Sequence, residues 1–265
     1  MSLHVPFYLF MAACLTLCVP RGGAADERLF TYSYEADTLP EGEVEFEQWV
    51  TARFGREGGD FARWDFREEL EYGITDRLTT AIYLNFRDTY FSPDKGTIEE
   101  ELDGTEFSGV SSEWKYQLLN PYLDPLGLLA YGEFTTDGEE IELEEKLVAQ
   151  KNLGDFTLVA NATIEQVWEF EHGETIKEGE LELTAGVAYK VSPQWSAGIE
   201  GRNLREYANS FTFDDEIVSA WFLGPVVHYG AKDWWVTTTV LPQIGDRNLD
   251  DRERVEVRVL VGVSL

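Results

Sequence analysis

Cysteine is scarce in this chain, and so is positive charge. The two cysteines, Cys14 and Cys18, lie close to the N-terminus, so the remaining sequence can build neither a disulfide framework nor a thiolate metal site. Lysine and arginine number 21 against 50 acids, a formal net charge of -29. A surface this acidic excludes nucleic acid as a partner, since a polyanion is held by basic patches. It also excludes loose adsorption to anionic lipid. Beyond the N-terminus, no run approaches the ~18 apolar residues of a spanning helix. Histidine is rare too, with three in 265 residues.

The one long apolar stretch is Val5–Val19, followed by small residues ending at Ala24 and Ala25. It has the length and flanks of a secretory signal rather than of an anchor. The expected organisation is a signal peptide, 1–25, and one domain, 26–265. Cleavage after Ala25 removes Arg21 and no acid, leaving 20 − 50 = −30.

The rest of the chain reads as short alternating segments divided by Gly, Pro, Asn and Asp. There are twelve, near 42–54, 62–74, 78–90, 107–119, 126–135, 140–151, 154–170, 177–191, 194–206, 216–229, 233–243 and 252–265. In the last, Val255, Val257, Val259, Val261 and Val263 share one face, and Glu256 and Arg258 the other. In the eighth, Leu181, Leu183, Ala185 and Val187 oppose Glu180, Glu182 and Thr184. Such segments exceed the ~5–6 residues of soluble strands and suit tilted strands of ~9–11 residues crossing a bilayer. Connections alternate as well. Those at 75–77, 152–155, 191–195 and 231–233 are short, whereas 87–107, 169–180, 204–216 and 242–253 are long and acidic. A soluble sandwich has no reason to sort its connections this way. A membrane barrel does, with short periplasmic turns and long external loops. The predicted fold is therefore all-β: a single antiparallel transmembrane barrel of about twelve strands.

Some residues fall out of phase. Gln48, Glu68 and Glu145 interrupt apolar faces, which predicts bulges or interfacial positions there. The phase of 126–135 and 233–243 is ambiguous. The eight tryptophans lie mostly near segment ends, where aromatic girdles are expected.

The inner phase mixes charges of both signs. Candidate lumen-lining residues are Arg63, Arg67, Glu69 and Glu71 on one segment, with Lys115, Lys146 and Glu165 on the next ones. Glu182, Glu200, Arg202, Glu256 and Arg258 complete the set. Barrels of ~8 strands are filled by side chains and those of ~16–18 leave a channel, so twelve falls between the two. An acid-rich lumen favours cations or neutral polar solutes.

Catalytic signals are weak. Nucleophilic catalysis needs a base within reach of a hydroxyl or thiol, and neither His172 nor His228 has a serine two residues away, the arrangement of the outer-membrane phospholipase. Fifty acids make any glycosidase-like carboxylate pair indistinguishable from chance. Asp214, Asp215 and Glu216 lack the ligand spacing and turn glycine of a dedicated Ca²⁺ loop. The sequence thus predicts no enzyme, no cofactor and no specific metal ligand set.

ERLFTYSYEADTLPEGEVEFEQWVTARFG (27–55), LEYGITDRLTTAIYL (70–84), SSEWKYQLLNPYLDPLGLLAYGEF (111–134) and FLGPVVHY (222–229) resemble a family of bacterial outer-membrane β-barrel proteins of unknown function. The resemblance runs over nearly the whole of the chain after the signal. It implies a fold and a cell outer-membrane location reached through the periplasm, and it brings no activity and no functional residues. Expected partners are outer-membrane lipid, lipopolysaccharide with loosely held divalent ions, and the barrel assembly machinery. The expected function is a passive channel or transporter for small polar solutes with mild cation preference. A non-conducting structural or surface-binding barrel is the alternative, and an outer-membrane hydrolase the third.

Overall fold

Strands with one apolar face leave backbone N–H and C=O groups at every edge, and in lipid each must be paired. The chain meets this by closing on itself. The computed structural model describes residues 27–95, 101–171, 174–208, 215–245 and 252–265. The expected signal peptide, His172 and Asp214 lie outside them. The strands are β1 (Val44–Phe54), β2 (Gly59–Thr75), β3 (Leu78–Pro93), β4 (Leu102–Leu119), β5 (Gly127–Thr136) and β6 (Glu140–Leu153). They continue as β7 (Phe156–Glu171), β8 (Glu174–Lys190), β9 (Trp195–Tyr207), β10 (Glu216–Gly230), β11 (Trp234–Ile244) and β12 (Val255–Ser264). Each pairs antiparallel with its chain neighbours, and β1 closes on β12 with Val50 opposite Val259, giving a twelve-stranded closed barrel.

The alternation falls as the phases predict. Leu84, Leu183, Val187, Ile199 and Leu223 stand exposed on the outer wall, the band that hydrocarbon covers. Their chain neighbours point inward. The strands reach further out than the apolar phase indicates. β3 extends to Pro93, β4 begins at Leu102, and β7 and β8 run to Glu171 and from Glu174, so much of 87–107 and 169–180 is strand. Above the bilayer both faces are wet, and the outer face has no need of apolar residues.

The out-of-phase pair has a different explanation from a bulge. Gln48 and Glu68 are direct cross-strand partners in an unshifted register, and Gln48 Nε2 donates to Glu68 Oε1 at 3.2 Å on the outer wall. Glu145 is exposed on the same outer side. The girdle expectation also divides. Trp114, Trp195, Trp221 and Trp234 are exposed on the outer wall, but Trp49 and Trp235 are buried inside the barrel.

What they are buried against is the chain's own N-terminal part. Residues 27–39 do not join the wall. They run through the lumen, with Phe30 through Ala36 all buried; after an exposed turn at 40–42, Gly42 and Glu43 pair with Gly73 of β2 and lead into β1.

Candidate functional site: a plugged lumen beneath a polar vestibule

An extended segment inside a barrel has no strand beside it, so its backbone needs partners from elsewhere. Wall side chains supply them. Glu200 on β9 accepts from the backbone N–H groups of Thr31 (3.2 Å), Tyr32 (2.9 Å) and Ser33 (2.6 Å), and from the hydroxyls of Thr31 and Thr239. Asn161 on β7 accepts from Tyr34 N at 2.6 Å and donates to Tyr34 O at 3.1 Å. Gln150 on β6 accepts from Ala36 N, and Gln117 on β4 donates to Ala36 O. Thr79 on β3 accepts from Leu39 N at 2.9 Å. At the other end Thr237 donates to Arg28 O, and His228 Nδ1 lies 2.8 Å from Thr237 Oγ1. These anchors sit near the short-turn end of their strands, and the segment crosses the barrel there from β11 to β3.

The side chains of the segment make its packing. Phe30 joins Val159, Ala188 and Val226; Tyr32 joins Ala220, Phe222 and Leu241; Tyr34 and Ala36 join Trp49, Leu129, Tyr131, Val148, Trp235 and Leu260. Gly186 is required by one of these contacts, because a Cβ there would collide with the Phe30 ring. The Arg28 guanidinium lies over Tyr34 (3.9 Å) and Trp49 (4.5 Å), in cation–π geometry. Burial pushes the Tyr32 and Tyr34 phenols up, so both stay protonated across the physiological range. This packing also explains the two ambiguous phases. The inner faces of β5 and β11 carry Leu129, Tyr131, Trp235 and Leu241 among polar residues because the segment packs on them, so apolar residues fall on both faces of those strands.

Above the segment, toward the loop end, the lumen opens into a cavity of about 480 Å³. Tyr32, Tyr34 and Trp49 form its floor. Its walls carry Arg53, Arg63, Arg67, Arg87, Lys146, Arg202, Arg252 and Arg258 against Asp65, Glu133, Glu140, Glu142, Glu144, Glu165, Glu178, Glu180, Glu182 and Glu206, a balance of 8 − 10 = −2. The two signs are not evenly spread. In a ring of twelve strands, β1 and β2 stand opposite β7 and β8. Arg53, Arg63 and Arg87 converge on Asp65, with Arg63 at 2.9 Å and Arg87 at 3.1 Å. The facing wall of β6–β8 is carboxylate-rich. Lys146 pairs with Glu144 at 2.9 Å, and Arg202 bridges Glu182 and Glu256. Glu142, Glu165 and Glu178 make no ion pair among the described residues.

The twelve candidate lumen residues separate into two groups. Arg63, Arg67, Lys146, Glu165, Glu182, Arg202 and Arg258 line the cavity. Glu69, Glu71, Lys115, Glu200 and Glu256 are buried away from it. Glu200 holds the N-terminal segment, Glu256 pairs with Arg202 and Arg53, and Lys115 pairs with Glu71. Sequence reasoning missed the segment itself and, with it, Glu45, Glu47 and the inward roles of Trp49 and Trp235. One signal was available: residues 29–36, LFTYSYEA, are too aromatic for a solvated linker.

A protein-family model described as a family of unknown function (DUF6662) matches residues 23–265. No curated protein matches the chain. Among solved structures, it is similar to the COG4313 outer membrane channel from Pseudomonas putida F1, at 11% identity and a TM-score of 0.66, over 89% of this chain and 100% of that one. It is also similar to the NanC porin (11%, TM-score 0.52, 83% of this chain and 98% of the other). The KdgM porin, solved in complex with disordered oligogalacturonate, follows at 9% and 0.50, over 84% and 99%. At such identities the likeness lies in the fold, a closed antiparallel barrel of the outer-membrane porin type.

Proposed function

Because the chain belongs to the DUF6662 family of unknown function, whose own activity is open, we propose from the barrel's interior that it is an outer-membrane channel for small polar solutes with mild cation preference. Solute enters the vestibule from the loop end, and passage to the periplasm requires the N-terminal segment to move. The observation that carries this reading is the vestibule: a polar cavity of about 480 Å³ with a carboxylate-rich wall, closed below by Tyr32, Tyr34 and Trp49. Fixed carboxylates raise the local concentration of cations. The test is the reversal potential of the refolded chain in a planar bilayer under a KCl gradient. Opening events should reverse on the cation-selective side, and replacing Glu142, Glu165 and Glu180 by Gln should move reversal toward zero. Anion-selective openings, or no response to the triple substitution, would contradict the reading.

The segment also favours a second reading, a non-conducting barrel. Its dense anchoring supports a permanent seal as readily as a gate. In that case folded protein is silent with and without a salt gradient, and function lies with the outer acidic connections. A hydrolase receives no comparable support. His228 is engaged with Thr237 and the Arg28 carbonyl.

A further inference from the structure

The turn end of the lumen holds a block of carboxylates that the channel reading leaves unused. The register of β1 and β2 sets Glu45 opposite Glu71 and Glu47 opposite Glu69. Glu113 joins them from β4. All five are at most 2% exposed. Like charges directly opposite one another destabilise a sheet, and removal from water adds to that cost. Among the described residues two cations stand beside the block. Lys115 is ion-paired with Glu71 and lies 3.6 Å from Glu113, and Arg28 of the N-terminal segment has Glu47 and Glu69 among its charged neighbours. Five carboxylates against two cations leave an excess of 5 − 2 = 3 negative charges.

Protons are one way to neutralise such a block and a bound cation is another, and several donors already point at its carboxylate oxygens. Trp235 Nε1 donates to Glu45 Oε1 at 2.8 Å, Trp49 Nε1 donates to Glu47 Oε2 at 2.6 Å, and the Tyr83 hydroxyl donates to Glu113. Glu69 supplies a separate observation. It is 2% exposed, and its Oε2 has no hydrogen-bond partner among the described residues. That side chain nevertheless lies with oxygens of Glu71 and Glu113 within 4.8 Å of one another. Oxygens of Glu45, Glu47 and Glu71 meet the same limit. Two oxygens sharing a Ca²⁺ ion at about 2.3–2.6 Å are separated by at most about 5 Å. An all-carboxylate donor set suits a hard cation rather than a thiophilic or imidazole-seeking metal.

We propose that this block is a buried divalent-cation site suited to Ca²⁺, in which Glu71 is shared between Glu45 and Glu47 on one side and Glu69 and Glu113 on the other. The bound ion offsets most of the excess charge and braces β1, β2 and β4 beneath the N-terminal segment. The probe is Tb³⁺, added to the mature full-length chain refolded in EDTA and then freed of chelator. Trp49 and Trp235, which donate to Glu47 and Glu45, are positioned to sensitise its emission. The expected result is tryptophan-sensitised emission saturating at one ion per barrel and displaced by Ca²⁺, with Ca²⁺ raising the thermal unfolding midpoint. Glu69→Gln should weaken Tb³⁺ by about 10-fold or more, on the scale of losses at metal sites, and Glu71→Gln should abolish both emission and the Ca²⁺-dependent shift. Should Glu71→Gln fail to fold, Glu69→Gln decides alone. The proposal is overturned by absent emission, which means the carboxyls share protons, or by emission that survives the substitutions, which means ions held by the outer acidic connections. Neither outcome depends on whether the barrel conducts.

Discussion

Glu200 shows how one side chain can hold a segment that has no strand beside it. It accepts five hydrogen bonds, three of them from consecutive backbone N–H groups of the N-terminal segment. Hydrogen bonds to a charged group are worth roughly 1.5–3 kcal/mol each on deletion, so Glu200→Ala should loosen the segment while leaving the wall intact. The expected outcome is chymotryptic cleavage at Phe30, Tyr32 or Tyr34 in the folded variant, read by mass spectrometry, where the wild type resists. Equal resistance would mean that the aromatic packing alone holds the segment. A second residue ties selectivity to pH. Burial, and then the hydrogen bond shared with Glu256, push the Glu253 carboxyl up to about 7. It is neutral below that pH and gains a negative charge above it. Cation selectivity of channel openings should therefore strengthen as pH rises from 6 to 8, and by less in Glu253→Gln. The same trend in both proteins would exclude Glu253 as its source. Little of this was legible in the sequence. Glu200 was recognisable as inward by phase, but its partners in the N-terminal segment lie 167–169 positions away in the chain.

The strands were the most legible level. All twelve segments formed, because a wall between hydrocarbon and a polar or packed interior imposes period two on every residue. The misreadings trace to places where that rule lapses. Strands continue beyond the bilayer where both faces are wet, as in β7 and β8, and their acidic ends read as loops. β5 and β11 read ambiguously because the segment packs on apolar residues of their inner faces. Gln48 and Glu68 stood out as exceptions, but their partnership needed the register. Two strand positions give opposite tests of this wall. Leu183 is 42% exposed on the outer side of β8, and Leu183→Arg should cost about 2–4 kcal/mol and lower the yield of folded barrel in vesicles. Gly186 lies on the inner side of the same strand. Gly186→Val should fold but evict Phe30, detected as protease sensitivity of the segment with an unchanged barrel band. Normal insertion of Leu183→Arg would refute the lipid-facing phase of β8.

At the scale of the whole molecule, composition was informative about what the protein excludes and silent about how its interior is closed. The −29 charge argues against nucleic acid as a partner, and alternation led to a barrel. Neither distinguishes an open lumen from one closed by the chain's own N-terminal part, because that closure depends on side chains drawn from strands all around the ring. It turns the central question from pore lining to the mobility of residues 27–39. The most direct measurement compares single-channel conductance of the full mature chain with that of a chain lacking residues 27–38, both refolded and shown to be folded. The account predicts large, steady, cation-selective steps from the shortened barrel and small or infrequent ones from the full chain. Equal conductance in the two would contradict it, since the N-terminal segment would then not control passage through the lumen.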